Sequence, residues 1–211
     1  MTVRSMRSMA CGALVLLALG CREPTKYPWM IVPGVRIGPV SAQVSERELI
    51  DRFGPEAQPI PVTAGEGDVR PGIVLFPRDS RRIEIAWLDS VAHRGIKTVR
   101  IEGRSSAWRL EGRVQLGTDL YELERLNGGP FTMAGFGWID EGVVLSWEEG
   151  ALTSAMKGVY LYLLPERGRI GSDPYRRRMG NQAFSSDDGD LRALDPRVAR
   201  IVVAFDIEAP R

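Results

Sequence analysis

Ser154-Ala155-Met156-Lys157 sets a lysine one helical turn after a serine, a spacing that lets the amine take the hydroxyl proton and prime the oxygen for acyl transfer. Such a site also needs Ser-x-Asn and Lys-Thr-Gly elements downstream. Lys97-Thr98-Val99 stands upstream and lacks the glycine. A hydrolase or acyl-serine enzyme using Ser154 and Lys157 is therefore the alternative expectation. The sole histidine, His93, would need a positioned nucleophile and an orienting carboxylate to act as a general base. Spacing reveals neither, so a solvated or capping role is expected. The acidic clusters are Asp140 with Glu141, Glu148 with Glu149, and Asp187, Asp188 and Asp190. A calcium loop needs alternating oxygen ligands and a distant bidentate glutamate, which Ser185 to Asp190 does not supply. These clusters are expected to be polar hairpin tips. No metal, no cofactor and no catalytic role are expected.

Aromatic residues offer binding chemistry instead. Trp87, Trp108, Trp138 and Trp147 stand at the ends of strand-like runs, and bulky aromatics more often fill a core than line a groove. Gly135-Phe136-Gly137-Trp138-Ile139-Asp140 differs, because glycines on both sides of an aromatic allow close approach of another backbone or a partner. Phe136, Trp138 and Asp140 are accordingly the candidate contact surface.

Two similar stretches must position these residues. Arg36-Ile37-Gly38 precedes Glu48 to Gly54, and Gln115-Leu116-Gly117 precedes Glu122 to Gly128. Each reads as a strand end, a short helix and a glycine stop. Ser45 with Glu48, and Asp119 with Glu122, have capping-box spacing. Leu49, Ile50 and Phe53 form one apolar stripe, and Leu120, Leu123 and Leu126 the other. Alternating runs follow each helix: 73–76, 83–87, 99–101 and 108–110 in the first copy, and 131–138, 143–147 and 159–164 in the second. The pattern predicts an α+β fold, a duplicated helix-on-antiparallel-sheet unit, with one repeat over 35–112 and another over 113–211. The polar stretch 170–190 predicts a surface loop, and 201–207 a last strand.

The start of the chain has a separate logic. Arg4 and Arg7 precede an apolar run from Ala10 to Gly20 that ends at Arg22, Glu23 and Pro24. Eleven residues are too few to span a bilayer, which takes about 20, so 1–20 reads as a signal peptide. Cys21 is then the only cysteine of the mature chain. It has no disulfide partner, and thiolate-metal chemistry is excluded with it. Residues 21–34, proline-rich and aperiodic, predict a tether.

Ala18-Leu19-Gly20-Cys21 resembles the lipobox of bacterial lipoproteins, with Ala18 in the place where leucine is usual. The resemblance implies cleavage before Cys21, lipid on its thiol, and attachment to a membrane. Arg22, where aspartate would favour retention at the inner membrane, implies the outer membrane facing the periplasm in a Gram-negative cell. Leu116 to Phe131, followed by Gly135-Phe136-Gly137-Trp138, resembles uncharacterised bacterial lipoproteins sharing a Leu-Asn-Gly-x-Pro-Phe and Gly-Phe-Gly-Trp core. More loosely, a helix ending in Gly and Pro before a hairpin is similar to the small lipoproteins of the outer-membrane barrel-assembly machine and to tandem-repeat β-lactamase inhibitors.

Charge narrows the partners. Without the signal peptide, 26 basic residues face 27 acidic ones. No basic stripe offers itself to phosphates, which argues against nucleic acid. The expectation is a lipid-anchored, non-catalytic binding or assembly module of the cell envelope, meeting a protein or cell-wall partner.

Overall fold

The computed structural model describes residues 29–63, 68–110 and 113–205. The signal peptide, Cys21 and Ile207 lie outside these residues.

The chain forms an α+β fold. In order, β1 (Met30–Val32), β2 (Arg36–Ile37) and β3 (Val40–Ser41) lead into α1 (Glu46–Phe53). Four longer strands follow: β4 (Ala57–Thr63), β5 (Val69–Leu75), β6 (Ile83–Asp89) and β7 (Arg94–Glu102). After β8 (Arg109–Leu110) and α2 (Leu120–Asn127) come β9 (Thr132–Ala134), β10 (Val144–Ser146), α3 (Leu152–Ala155) and β11 (Val159–Leu164). The chain then adds α4 (Asp173–Arg177), β12 (Ala183–Ser185), α5 (Gly189–Leu194) and β13 (Arg197–Ala204).

Six strands build one antiparallel sheet in the order β11-β13-β7-β6-β5-β4. One rung crosses all six: Val159, Val203, Val99, Ile85, Ile73 and Pro59 stand in register. Five of the six are β-branched, the side chains that pack best on a pleated surface. The next strand pairs on this face, Leu161 with Ile201 and Ile201 with Ile101, are also buried. A bulge between Ala86 and Trp87 shifts the β6–β7 register, setting Trp87 opposite Ile96. Consecutive residues normally face opposite sides of a sheet. Accordingly Trp87 joins the main core, while Ala86 joins a small cluster with Val62 and Val74.

Strand β4 is an edge, and its sequence blunts it. Pro61 faces Pro71 across the ladder. Neither has an N–H, so theirs is a non-hydrogen-bonded pair, and by alternation so is Pro59 opposite Ile73. The nitrogens of Pro59 and Pro61 therefore face outward and give an added strand nothing to bond.

The helix starts follow their predicted caps. Ser45 accepts from the Glu48 N–H at 3.3 Å while Glu48 Oε2 accepts from the Ser45 N–H at 2.8 Å. Asp119 caps α2 through the Glu122 N–H at 2.8 Å, but Glu122 turns to Arg125 instead of closing the box. Gly128 ends α2 in the left-handed region, at φ 82° and ψ 11°. Leu49 is buried whereas Ile50, expected on the same stripe, is 38% exposed; adjacent residues stand about 100° apart around a helix, so with Leu49 facing the core Ile50 turns partly to solvent.

The structure does not show a duplication. Strands after α1 form a meander in the large sheet, whereas β9 after α2 sits between β10 and β12 in a three-stranded sheet. The boundary at 112/113 separates no units either, because β13 pairs with β7 and one core cluster runs from Ile31 to Phe205. The tether expected over 21–34 is shorter at its end: Ile31 is fully buried, and β1 pairs with β2 and, in parallel, with β8. Finally, 170–190 is no plain loop. It holds α4, β12 and the start of α5, with Asp188 accepting from the Asp190 and Leu191 N–H groups as the α5 cap. Elements this short carry too little periodicity to be read.

Candidate functional site

The best-defined polar pair on an apolar groove joins α1 to the β6–β7 turn. Glu46 is the first residue of α1, and its N–H donates to the His93 carbonyl at 2.9 Å. Its carboxylate Oε2 lies 3.1 Å from His93 Nδ1. That oxygen is buried, and no regular hydrogen bond satisfies it. The backbone fixes both partners: Gly95 N–H donates to the Val44 carbonyl and Ile96 N–H to that of Ala42, and Ser45 bridges to Arg94. His93 itself sits at φ 48°, a conformation that non-glycine residues adopt at a cost of about 1–3 kcal/mol.

This pair borders an open groove of about 440 Å³, whose other walls are Pro59, Ile60 and Pro61 of β4 and Val69, Arg70, Pro71 and Gly72 of β5. The Arg70 guanidinium is occupied by Asp68 at 2.5 Å. Among the described residues the walls contain no serine, threonine, cysteine or tyrosine. Sequence reasoning missed this pairing because Glu46 and His93 are 47 positions apart; the capping-box start of α1 was the one signal that located Glu46.

A larger cleft of about 630 Å³ lies where β7 and β11 end and β13 begins, lined by Arg104, Arg167, Arg197, Glu102 and Glu166 among others. Two of these charges are paired: Glu102 with Arg100, and Arg197 with Asp195 at 2.9 Å and Asp119 at 3.5 Å. Nearby carboxylates, chiefly Asp195 through its hydrogen bond, hold Arg197 more firmly protonated than usual.

The expected contact surface divides. Phe136 is fully buried, stacked on Tyr175 at 5.4 Å between ring centres; it is a core residue and cannot meet a partner. Its backbone is held on both sides, its N–H donating to the Arg178 carbonyl and its carbonyl accepting from the Gly180 N–H. Trp138 remains outside at 61% exposure, beside Ile139 at 71%, and Met179 is half exposed on the facing strand segment. Asp140 is exposed too, with the Tyr162 hydroxyl 3.4 Å from its carboxylate. Trp87 and Trp108 are buried and Trp147 packs against the core, as the strand pattern predicts.

Ser154 lies in the four-residue helix α3, and Lys157 lies beyond its end. Both are exposed, and neither lines either cavity described above. The acidic cluster at 187–190 is not a hairpin tip: Asp188 pairs with Arg178 at 2.6 Å, and Asp190 with Arg177 at 2.6 Å and Arg178 at 3.0 Å. Hydrogen bonding from Arg178 holds the Asp188 carboxyl below the usual carboxylate range. Among the described residues no group of three or more His, Cys, Asp or Glu side chains gathers as a metal site, and no helix is long and apolar enough to cross a membrane.

No family model, curated protein or solved structure gives a match to this chain.

Proposed function

We propose that this chain is a lipoprotein precursor, cut before Cys21 and held by lipid on that cysteine, whose folded part is a non-catalytic binding or assembly module of the bacterial cell envelope. The Trp138 loop carries this reading. It places two large apolar side chains, Trp138 and Ile139, in solvent beside half-exposed Met179, a concentration of exposed apolar surface typical of contact sites. Trp is also the side chain most favoured at the centre of protein interfaces. The short spacing supports the anchor: seven residues separate Cys21 from Trp29, a reach of at most about 30 Å, which keeps the fold against its membrane. The partner is an envelope protein or the cell wall, and the membrane is the outer one, facing the periplasm, in a Gram-negative cell.

The test is crosslinking of the tagged chain in living cells, followed by mass spectrometry of what it captures. The expected result is one dominant envelope partner that is lost in Trp138→Ala, and release from the membrane fraction in Cys21→Ala. Turnover of an envelope substrate by the purified protein, abolished by a single side-chain change, would overturn the reading.

A further inference from the structure

We propose, resting on the lipid anchor above, that the end of the six-stranded sheet where the chain enters the fold is a docking face for a phospholipid surface carrying anionic headgroups. The register decides which segments share that end. Leu75 pairs with Ile83, Arg200 with Glu102, and Leu164 with Arg197, so the β5–β6 turn, the segment after β7 and the segment after β11 all lie beyond the same end of the sheet. Trp29 joins them. Its carbonyl accepts from the Arg109 N–H, and its ring packs on Phe76 at 5.7 Å and Trp108 at 5.3 Å between centres. The Ala107 N–H donates to the Ser80 carbonyl, and Trp108 Nε1 to that of Arg81 at 2.7 Å, which stitches the segment after β7 to the β5–β6 turn. The cleft between Arg104 and Arg167 separates it from the segment after β11.

Charge is segregated there. Residues 76–82, 103–109 and 165–169 hold seven arginines against two acids, Asp79 and Glu166, in a chain that is otherwise balanced. Arg81 is taken by Asp79 and Arg82 by Glu84. Arg78, Arg104, Arg109 and Arg167 are exposed and form no ion pair among the described residues. They make no run in the sequence; antiparallel turns collect them. Arginines held near a bilayer are attracted to anionic headgroups within about a Debye length, roughly 8 Å at physiological salt. The tether brings them that close, because the seven residues after Cys21 lead to Trp29 at this end.

With Cys21 lipidated and Cys11 removed with the signal peptide, an introduced cysteine is the only thiol. Fluorescent labels are placed at Ser105→Cys, beside Arg104, and at Val91→Cys, which is 93% exposed in the β6–β7 turn at the other end. The full chain, processed in cells, is reconstituted in phosphatidylcholine vesicles with and without phosphatidylglycerol, and energy transfer to a headgroup dye is read. The seven residues of β6 run between the two ends, a separation of roughly 23 Å, so with phosphatidylglycerol transfer should be at least about twofold stronger from Ser105→Cys than from Val91→Cys. The bias should shrink in phosphatidylcholine alone, in about 1 M salt, where the Debye length is about 3 Å, and in the Arg104→Glu, Arg167→Glu double variant. Equal transfer from the two sites in a chain that floats with the vesicles, or a bias indifferent to lipid charge and salt, overturns the docking face and leaves the anchor standing. A chain that does not float overturns the anchor, and the docking face with it.

Discussion

Asn127 and Gly150 are in direct contact across the end of α2, and no side chain fits between them. A Cβ on Gly150 would come within 2.2 Å of Asn127 Oδ1. Asn127, buried at the last turn, donates from Nδ2 to the Trp147 carbonyl at 2.9 Å and accepts at Oδ1 from the Leu152 N–H at 3.2 Å. Its own carbonyl accepts from the Ala151 N–H. The asparagine of the Leu-Asn-Gly-x-Pro-Phe stretch is thus a clamp tying α2 to the segment before α3.

Asn127→Leu leaves the buried Leu152 N–H without an acceptor and strips one of two donors from the Trp147 carbonyl, which keeps the Gly150 N–H; it should cost about 1–3 kcal/mol by denaturant unfolding. Gly150→Ala should also destabilise, because the methyl must displace Asn127. In Asn127→Ala the obstacle is gone, so the double variant should be more stable than the sum of the single losses predicts. Strict additivity would show that the two residues do not clamp one another.

Phe136 and Trp138 should separate stability from binding. Phe136→Ala empties a buried, stacked site and should cost about 3–4 kcal/mol. Trp138→Ala removes an exposed ring and should stay within about 0.5 kcal/mol of the parent, while losing the crosslinked partner. A thermal melt of each variant checks the first half, and capture in cells the second.

Gly135→Ala should unfold the Phe136 segment even though alanine is small. Its Cβ would meet the Arg178 carbonyl at 2.5 Å and that of Gly180 at 2.6 Å, backbone atoms that cannot swing away. The expected outcome is a lowered melting temperature and faster amide exchange at Phe136 and Gly180. Unchanged exchange would mean that this backbone pairing is looser than its geometry.

Asp188 should make the α4–α5 pair acid-sensitive. Its carboxyl sits below the ordinary value because Arg178 bonds its charged form, with the Leu191 and Asp190 N–H groups adding to this. The unfolded chain therefore takes up the proton first. The stabilisation is present above the unfolded value of about 3.9 and is lost as pH falls through the lower folded one. Arg178→Met should lower the melting temperature at neutral pH and flatten its dependence between pH 5 and about 2. An unaltered slope in that variant would assign the acid response elsewhere.

Ser154→Ala should be silent. The hydroxyl is exposed and Lys157 stands beyond the helix end, so stability and labelling by an acyl-serine probe should match the unaltered protein. Loss of labelling would restore the enzyme reading.

Local grammar is what one sequence writes plainly. The caps at Ser45 and Asp119, the glycine after α2 and the alternation at Ile83, Ile85 and Trp87 each act within a few residues, and α1, α2 and β6 are where they predict. The α+β class followed from them. Long-range pairing is not written that way. The resemblance between the α1 and α2 stretches is a resemblance of caps and stripes, and it carried no information about which strands pair afterwards. Nor did the polar composition of 170–190 disclose α4 and α5, which are joined by Arg177 and Arg178 reaching Asp188 and Asp190 and docked by Tyr175, Leu191 and Leu194.

The sequence by itself determined α1, α2, most strands and a tryptophan set largely destined for the core. Tertiary structure alone decided that β13 joins β7, that Phe136 turns inward while Trp138 stays out, and that Glu46 meets His93. The physical reason is shared by all three: burial and hydrogen bonding between distant residues depend on where separate elements dock, and docking is set by the shape of the whole core rather than by any local spacing.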